Sequence, residues 1–207
     1  MITLEFVAIW FAWLLAGGSP GPATLGIAGT AMASGRGAAL FFALGILAGS
    51  AIWGITAALG LSAIMMTNVW LFELIRYVGA AYLGWLSIKA LRRATTQKVG
   101  QAGTPFSGSA RVLFAKGAAI HLTNPKAVLG WGSIYAIVAP ADANALMLLN
   151  YFGLLFAGSI LIFLGYALIF SSERIVAGYA RTSRWFDAIF AGFFGVASFK
   201  ILTARLQ

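Results

Sequence analysis

Two short segments of the chain hold residue types that could handle a polar solute: Ser19-Pro20-Gly21-Pro22, and His121 through Asn124-Pro125-Lys126. Proline lacks a backbone N–H and clashes with the carbonyl four residues earlier. Pro20 and Pro22 therefore free the carbonyls of Ala16 and Gly18, and Pro125 frees that of His121. The residue before each proline is also pushed out of the α region. Past each break a new half-helix can start, since Gly21-Pro22 and Asn124-Pro125 both fit an N-cap residue followed by proline at the first helical position. The N–H groups and dipole at such a start favour an anion, and Lys126 adds a full positive charge. Pro20, Gly21, Pro22, Asn124, Pro125 and Lys126 are thus the candidate substrate-binding residues, suited to a carboxylate. His121, one turn before Pro125, is a candidate proton relay because histidine titrates near neutral pH. A histidine simply packed against a kink is the alternative.

The elements that must position these residues are membrane helices. Apolar residues make up 61% of the 207-residue chain and charged residues only 9%. A soluble fold carries about a quarter charged residues, so much of this surface must face lipid. The net charge of +9 does not point to nucleic acid, because the basic residues sit in short segments between apolar runs rather than on one continuous face. Cysteine is absent, which removes disulfides, thiol relays and thiolate metal sites. The N-terminus has no basic n-region, and its apolar run continues past Ala16, so it reads as a retained first helix.

Charge-poor runs mark about six spans, each needing roughly 20 residues. They are Phe6 to Gly35, Ala38 to Met66, Leu71 to Leu91, Gly117 to Ala139, Ala143 to Ser171 and Trp185 to about Leu202. The fold class is an all-α membrane protein forming one transporter domain over residues 1–207. Helices 1 and 4 are broken at the proline motifs. Glu73 and Arg76 are spaced to pair at one end of helix 3, Lys89 and Lys200 to snorkel to opposite interfaces, and no carboxylate is expected in a helix interior. With six spans, Arg36, Lys89, Arg92, Arg93, Lys98, Arg111, Lys116, Arg174, Arg181 and Arg184 fall on one side, and Lys200 and Arg205 on the other. Basic residues concentrate in cytoplasmic loops, so the polar segment 92–116 is cytoplasmic and both termini lie outside.

The chain also repeats itself. Ser19, Ala23, Leu25 and Gly26 recur at one constant spacing as Thr123, Ala127, Leu129 and Gly130. Ala80, Gly84, Ser87, Lys89 and Leu91 recur at another as Ala191, Gly195, Ser198, Lys200 and Leu202. An odd number of helices per half (residues 1–91 and 117–207) inverts the second relative to the first, as in secondary transporters with mid-membrane sites at interrupted helices. The breaks would then face each other across the interior. Ordinary proline kinks, and small residues that merely let helices pack closely, are the competing account. Gly45-x-x-x-Gly49 has that packing role. The prolines themselves align one position off the repeat register.

Pro20-Gly21-Pro22, Gly35-Arg36, Gly45 with Gly49, Gly79-Ala80-Ala81-Tyr82-Leu83 to Lys89, and Phe114, Gly117 and Leu122 leading into Asn124-Pro125-Lys126-Ala127 resemble the lysine exporter (LysE/RhtB) family of amino-acid efflux transporters. The resemblance covers nearly the whole chain. It implies export of amino acids or related metabolites across the bacterial cytoplasmic membrane, driven by the proton gradient, with no cofactor. Many relatives resemble an acid-then-histidine arrangement after Gly49, where Ser50 and Trp53 stand here, and this favours a neutral, zwitterionic or anionic substrate. A metal exporter would need ligands that one histidine and no buried acids do not supply. A membrane enzyme would need an acid–base cluster for which only His121 with Lys126 qualifies. The sequence assigns no oligomeric state.

Overall fold

A computed structural model describes residues 4–67, 69–96, 105–139 and 143–203. Seven helices run through them: α1 (Leu4–Gly18), α2 (Pro22–Thr67), α3 (Val69–Thr95), α4 (Ala110–Leu122), α5 (Pro125–Val138), α6 (Ala145–Ile169) and α7 (Glu173–Thr203). No strand occurs among the described residues. The protein is all-helical, and by length and composition Pro22–Gly60 and Ala145–Ile169 are apolar enough to cross a membrane.

Helix limits follow the backbone chemistry. α1 stops at Gly18, and α2 restarts at Pro22. α2 is itself two helices, 22–34 and 36–67, because Gly35 has φ 79° and ψ 177°. A side chain there would be strained, so glycine is what lets the chain turn before Arg36. α4 starts at Ala110, inside the segment expected as linker, so Arg111 and Lys116 are helical. α7 starts at Glu173, well before the expected Trp185. Arginines are good helix formers, and no proline interrupts 173–184 to stop the helix.

α2 packs chiefly on α4 and α6, and α3 on α7. The α2–α4 contact brings backbones together: a Cβ on Gly45 would overlap the Phe114 carbonyl, and one on Gly117 the Phe42 carbonyl. Gly45 and Gly49 thus have the expected packing role, as Gly49 lies against the Cβ of His121.

Many contacts come in matched pairs. Gly45 meets Phe114 and Ala118, while Gly158 meets Trp10 and Leu14. Gly49 meets His121, while Gly17 meets Ile162. The Trp53 indole donates to the Leu122 carbonyl (3.3 Å), and the Tyr166 hydroxyl to the Gly18 carbonyl (2.6 Å). Ser87 Oγ donates to Ala191 O (2.6 Å), and Ser198 Oγ to Ala80 O (2.8 Å). Their order along the chain fixes direction. α2 runs parallel to α4 and α1 parallel to α6, whereas α3 is antiparallel to α7.

Candidate functional site

The two breaks meet through one side chain. Lys126, the second residue of α5, reaches back so that its Nζ donates to the Ser19 carbonyl (2.9 Å) and to Ser19 Oγ (2.5 Å). Gly21 lies alongside, its Cβ direction 3.5 Å from both Cδ and Nζ of the lysine. Ser19 is buried and Lys126 half-buried. A cation at a helix start is opposed by the positive dipole end of that helix. Here the ammonium instead lies against the carbonyl just past α1, at that helix's negative end.

Each backbone group freed by a proline finds a protein partner. Ala16 O accepts from Ser19 N (3.3 Å) and Ser19 Oγ (2.9 Å), Gly18 O from Tyr166, and His121 O from Asn124 N (3.2 Å). In hydrocarbon an unpaired group costs several kcal/mol, so breaks persist only where such partners exist. Donors are also taken. The Asn124 side chain accepts from Lys126 N (3.0 Å) as an N-cap, and Thr24 Oγ1 accepts from Gly21 N (3.0 Å). At the second break Ala127 N is bonded to Asn124 O as well (2.9 Å). Both of these α5 N–H groups are thus bonded to Asn124.

Of the residues expected at the site, Gly21 and Lys126 touch. Pro20 and Pro22 flank Gly21, Asn124 and Pro125 set the start of α5, and Pro22 and Pro125 are exposed. The one-position misalignment has a simple cause. α1 and α4 end in register, at Gly18 and Leu122, but three residues separate α1 from α2 and two separate α4 from α5. His121 is buried edge-on to Phe163 (ring centroids 5.7 Å), and its Nδ1 has no hydrogen-bond partner among the described residues. Ser50 and Trp53 hold the second half in place: Ser50 Oγ accepts from the Trp131 indole (3.1 Å), and Trp53 caps Leu122.

Several contributors were not foreseen. Tyr166 sits in an apolar run where its hydroxyl needs an acceptor, which was the available signal. Asp187 corrects the expectation that no carboxylate lies inside a helix: it is 6% exposed, within α7, and paired with Arg93 (Nε–Oδ1 2.9 Å). The expected Glu73–Arg76 pair and the position of the Lys200 side chain lie outside what the structure describes. No group of three or more His, Cys, Asp or Glu side chains comes together among the described residues.

The chain is apolar and all-helical among the described residues, and the proteins it resembles make it a membrane transporter. It belongs to the LysE type translocator family, which matches residues 15–205, and it is therefore a translocator and not an enzyme. The chain is 32% identical over 181 residues to a threonine efflux protein of Salmonella typhi, covering 84% of this chain and 88% of the relative. It is 31% identical over 195 residues to the threonine efflux protein of Escherichia coli K12, covering 91% and 94%. A leucine efflux protein of Klebsiella pneumoniae is 34% identical over 126 residues, covering 61% and 58%. No solved structure matches the chain.

Proposed function

We propose that this protein exports an amino acid, or a closely related metabolite bearing a carboxylate, across the bacterial inner membrane, and that it is coupled to the proton gradient. The amino-acid substrate is suggested by the threonine and leucine efflux relatives. The chain is one domain of six spans, formed by α1 with 22–34, 36–67, α3, α4 with α5, α6 and α7. Two halves of three spans are inverted about an axis in the membrane plane. The matched contacts support this reading, because a two-fold axis that relates an antiparallel pair such as α3 and α7 must lie perpendicular to both. Alternation of six spans also requires α2 parallel to α4 and α1 parallel to α6. The segment 92–116 is cytoplasmic and both termini are outside.

The observation that carries the mechanism is the Lys126–Ser19 bridge. An ammonium has three donors, and two are spent on Ser19, which leaves one for a solute. A carboxylate is a stronger acceptor for an ammonium than a neutral carbonyl or hydroxyl, because it adds the attraction between two full opposite charges. Substrate therefore competes with Ser19 for the lysine. Displacing Ser19 unties the α1–α2 break from α5, and the tie between the halves loosens only when the site is filled. His121, one turn before Pro125 and with Nδ1 unpartnered among the described residues, is the candidate to carry the proton.

The test is efflux from proteoliposomes loaded with a panel of labelled amino acids, threonine and leucine among them, at two imposed proton gradients. Gradient-dependent loss of at least one amino acid is expected. Retention of the whole panel at both gradients would overturn the assignment.

A further inference from the structure

Arg93 and Asp187 join the basic ends of α3 and α7, and the pair is not where stability alone would put it. Asp187 has an 8% exposed side chain and Arg93 a 35% exposed one. A buried ion pair often contributes no more than apolar side chains of similar bulk. The neighbouring cations behave differently. Lys89 lies over the exposed Trp85 ring (4.8 Å) and Arg184 over the exposed Trp185 ring (5.5 Å), both turned outward, whereas Arg93 turns inward to an acid.

Its position relative to Lys126 follows from the packing. α3 lies beside α5, with Gly79 against Ser133. α5 runs parallel to α2, with Trp131 at Ser50 and Tyr135 at Gly54, and the proposed alternation of spans makes α3 antiparallel to both. Lys126 stands two turns before Ser133, which places it about level with Leu86. Arg93 lies two turns further along α3, roughly 10 Å away at ~1.5 Å per residue, toward the basic segment 92–116.

We infer that Arg93 is an outer subsite for the substrate's carboxylate on the cytoplasmic side, and that Asp187 fills it in the empty transporter as a resident carboxylate. The guanidinium has five donors, and Asp187 is bonded through one of them, Nε. An arriving carboxylate exchanges with Asp187 and leaves Arg93 paired throughout, while the released Asp187 carboxylate has to gain water or a proton as α3 and α7 part. A solute without a carboxylate has nothing to offer in exchange and meets α3 and α7 tied together. From Arg93 the carboxylate passes inward to Lys126. This last step rests on the function proposed above.

The absence of cysteine permits a test that needs no knowledge of the substrate. Gly21→Cys puts the sole thiol beside Lys126. Inside-out vesicles expose the cytoplasmic side to two small thiosulfonate reagents sharing one reactive head, one carrying a sulfonate and the other a trimethylammonium group. Asp187→Asn should raise the ratio of anionic to cationic labelling by about tenfold, the low end of what a cleft of one charge does to association. The double variant Arg93→Met with Asp187→Leu swaps the ion pair for apolar bulk, so it should fold like the parent and lower the ratio. In right-side-out vesicles neither change should move the ratio. Equal acceleration of both reagents by Asp187→Asn, or an unaltered ratio in the double variant, overturns the subsite. So does an effect of the same size from the outer face. Lys126→Met separates the two readings: a ratio that falls with Lys126→Met but not with the double variant keeps the Lys126 site and removes the outer one.

Discussion

The Tyr166 hydroxyl stands 2.6 Å from the carbonyl of Gly18, the last residue of α1, and the Trp53 indole stands 3.3 Å from that of Leu122, the last residue of α4. Each broken helix is thus capped by an aromatic side chain from the other half. Tyr166→Phe keeps the ring and leaves a carbonyl unsatisfied, which costs about 1–3 kcal/mol. Thermal unfolding in detergent should show that loss. Trp53→Phe removes the matching bond and part of a packed ring as well, so it should also destabilise. A Tyr166→Phe protein as stable as wild type would mean that the Gly18 carbonyl has another partner.

The close approach of α2 and α4 makes a second prediction. Gly45→Ala and Gly117→Ala each force a methyl into a facing carbonyl, and overpacking of this kind costs about 1–3 kcal/mol or more. Gly60 lies in the same helix as Gly45 with nothing within 4 Å of its Cβ direction. Gly60→Ala should stabilise by up to about 1 kcal/mol through helix propensity. The melting temperatures should therefore move in opposite directions. Two shifts of the same sign would place α4 elsewhere.

How much of this was legible in the sequence depends on whether the cause is local. Helix starts at Pro22 and Pro125 were legible because a missing N–H acts on the chain's own backbone, and α2 and α5 start at those residues. Ser87 and Ser198 stood out by spacing alone. What they bond to did not, because Ala191 and Ala80 are reached only across the α3–α7 contact. Asp187 was hidden for a related reason. It sits near one end of an apolar run, where an acid can face the interface, and only the packing of α7 on α3 turns it inward onto Arg93. The acceptors of Tyr166 and Trp53, the carbonyls of Gly18 and Leu122, were hidden in the same way, since each lies on a helix distant in sequence.

The reciprocal α3–α7 contact can be fixed covalently. The Cβ direction of Gly84 lies 3.9 Å from Ser198 Cβ, and that of Gly195 lies 4.0 Å from Ser87 Cβ. Both fall within the roughly 3.5–4.5 Å that a disulfide spans between Cβ atoms. Gly84→Cys with Ser198→Cys, and Ser87→Cys with Gly195→Cys, should both crosslink under mild oxidation. With a protease site placed at Gln101, each pair should keep the two fragments together on a non-reducing gel. Crosslinking by one pair alone would contradict the two-fold relation.

Orientation is testable with the same cysteine-free background. Gln101→Cys and Asp142→Cys, labelled one at a time in intact cells with an impermeant thiol reagent, should react from opposite sides, Asp142→Cys from outside. Reaction of both from one side would sink the six-span arrangement.

Lys126 decides whether the bridge between the breaks is a binding device or only a tie. Its ammonium holds Ser19 with two bonds, so an apolar substitution removes that tie along with the charge. Lys126→Met keeps the length of the side chain and its apolar stem. A hydrogen bond to a charged group contributes about 1.5–3 kcal/mol, which corresponds to roughly ten- to a hundredfold weaker binding of a carboxylate substrate. An amide or ester of the same amino acid lacks the negative charge and should lose much less. The comparison, made at equal membrane expression on purified, folded protein, cancels whatever the lost Ser19 bond does to the scaffold, because both ligands meet the same altered protein. Equal losses for acid and amide would mean that Lys126 only ties the breaks together. Normal transport of the acid by Lys126→Met would remove the lysine from the site altogether.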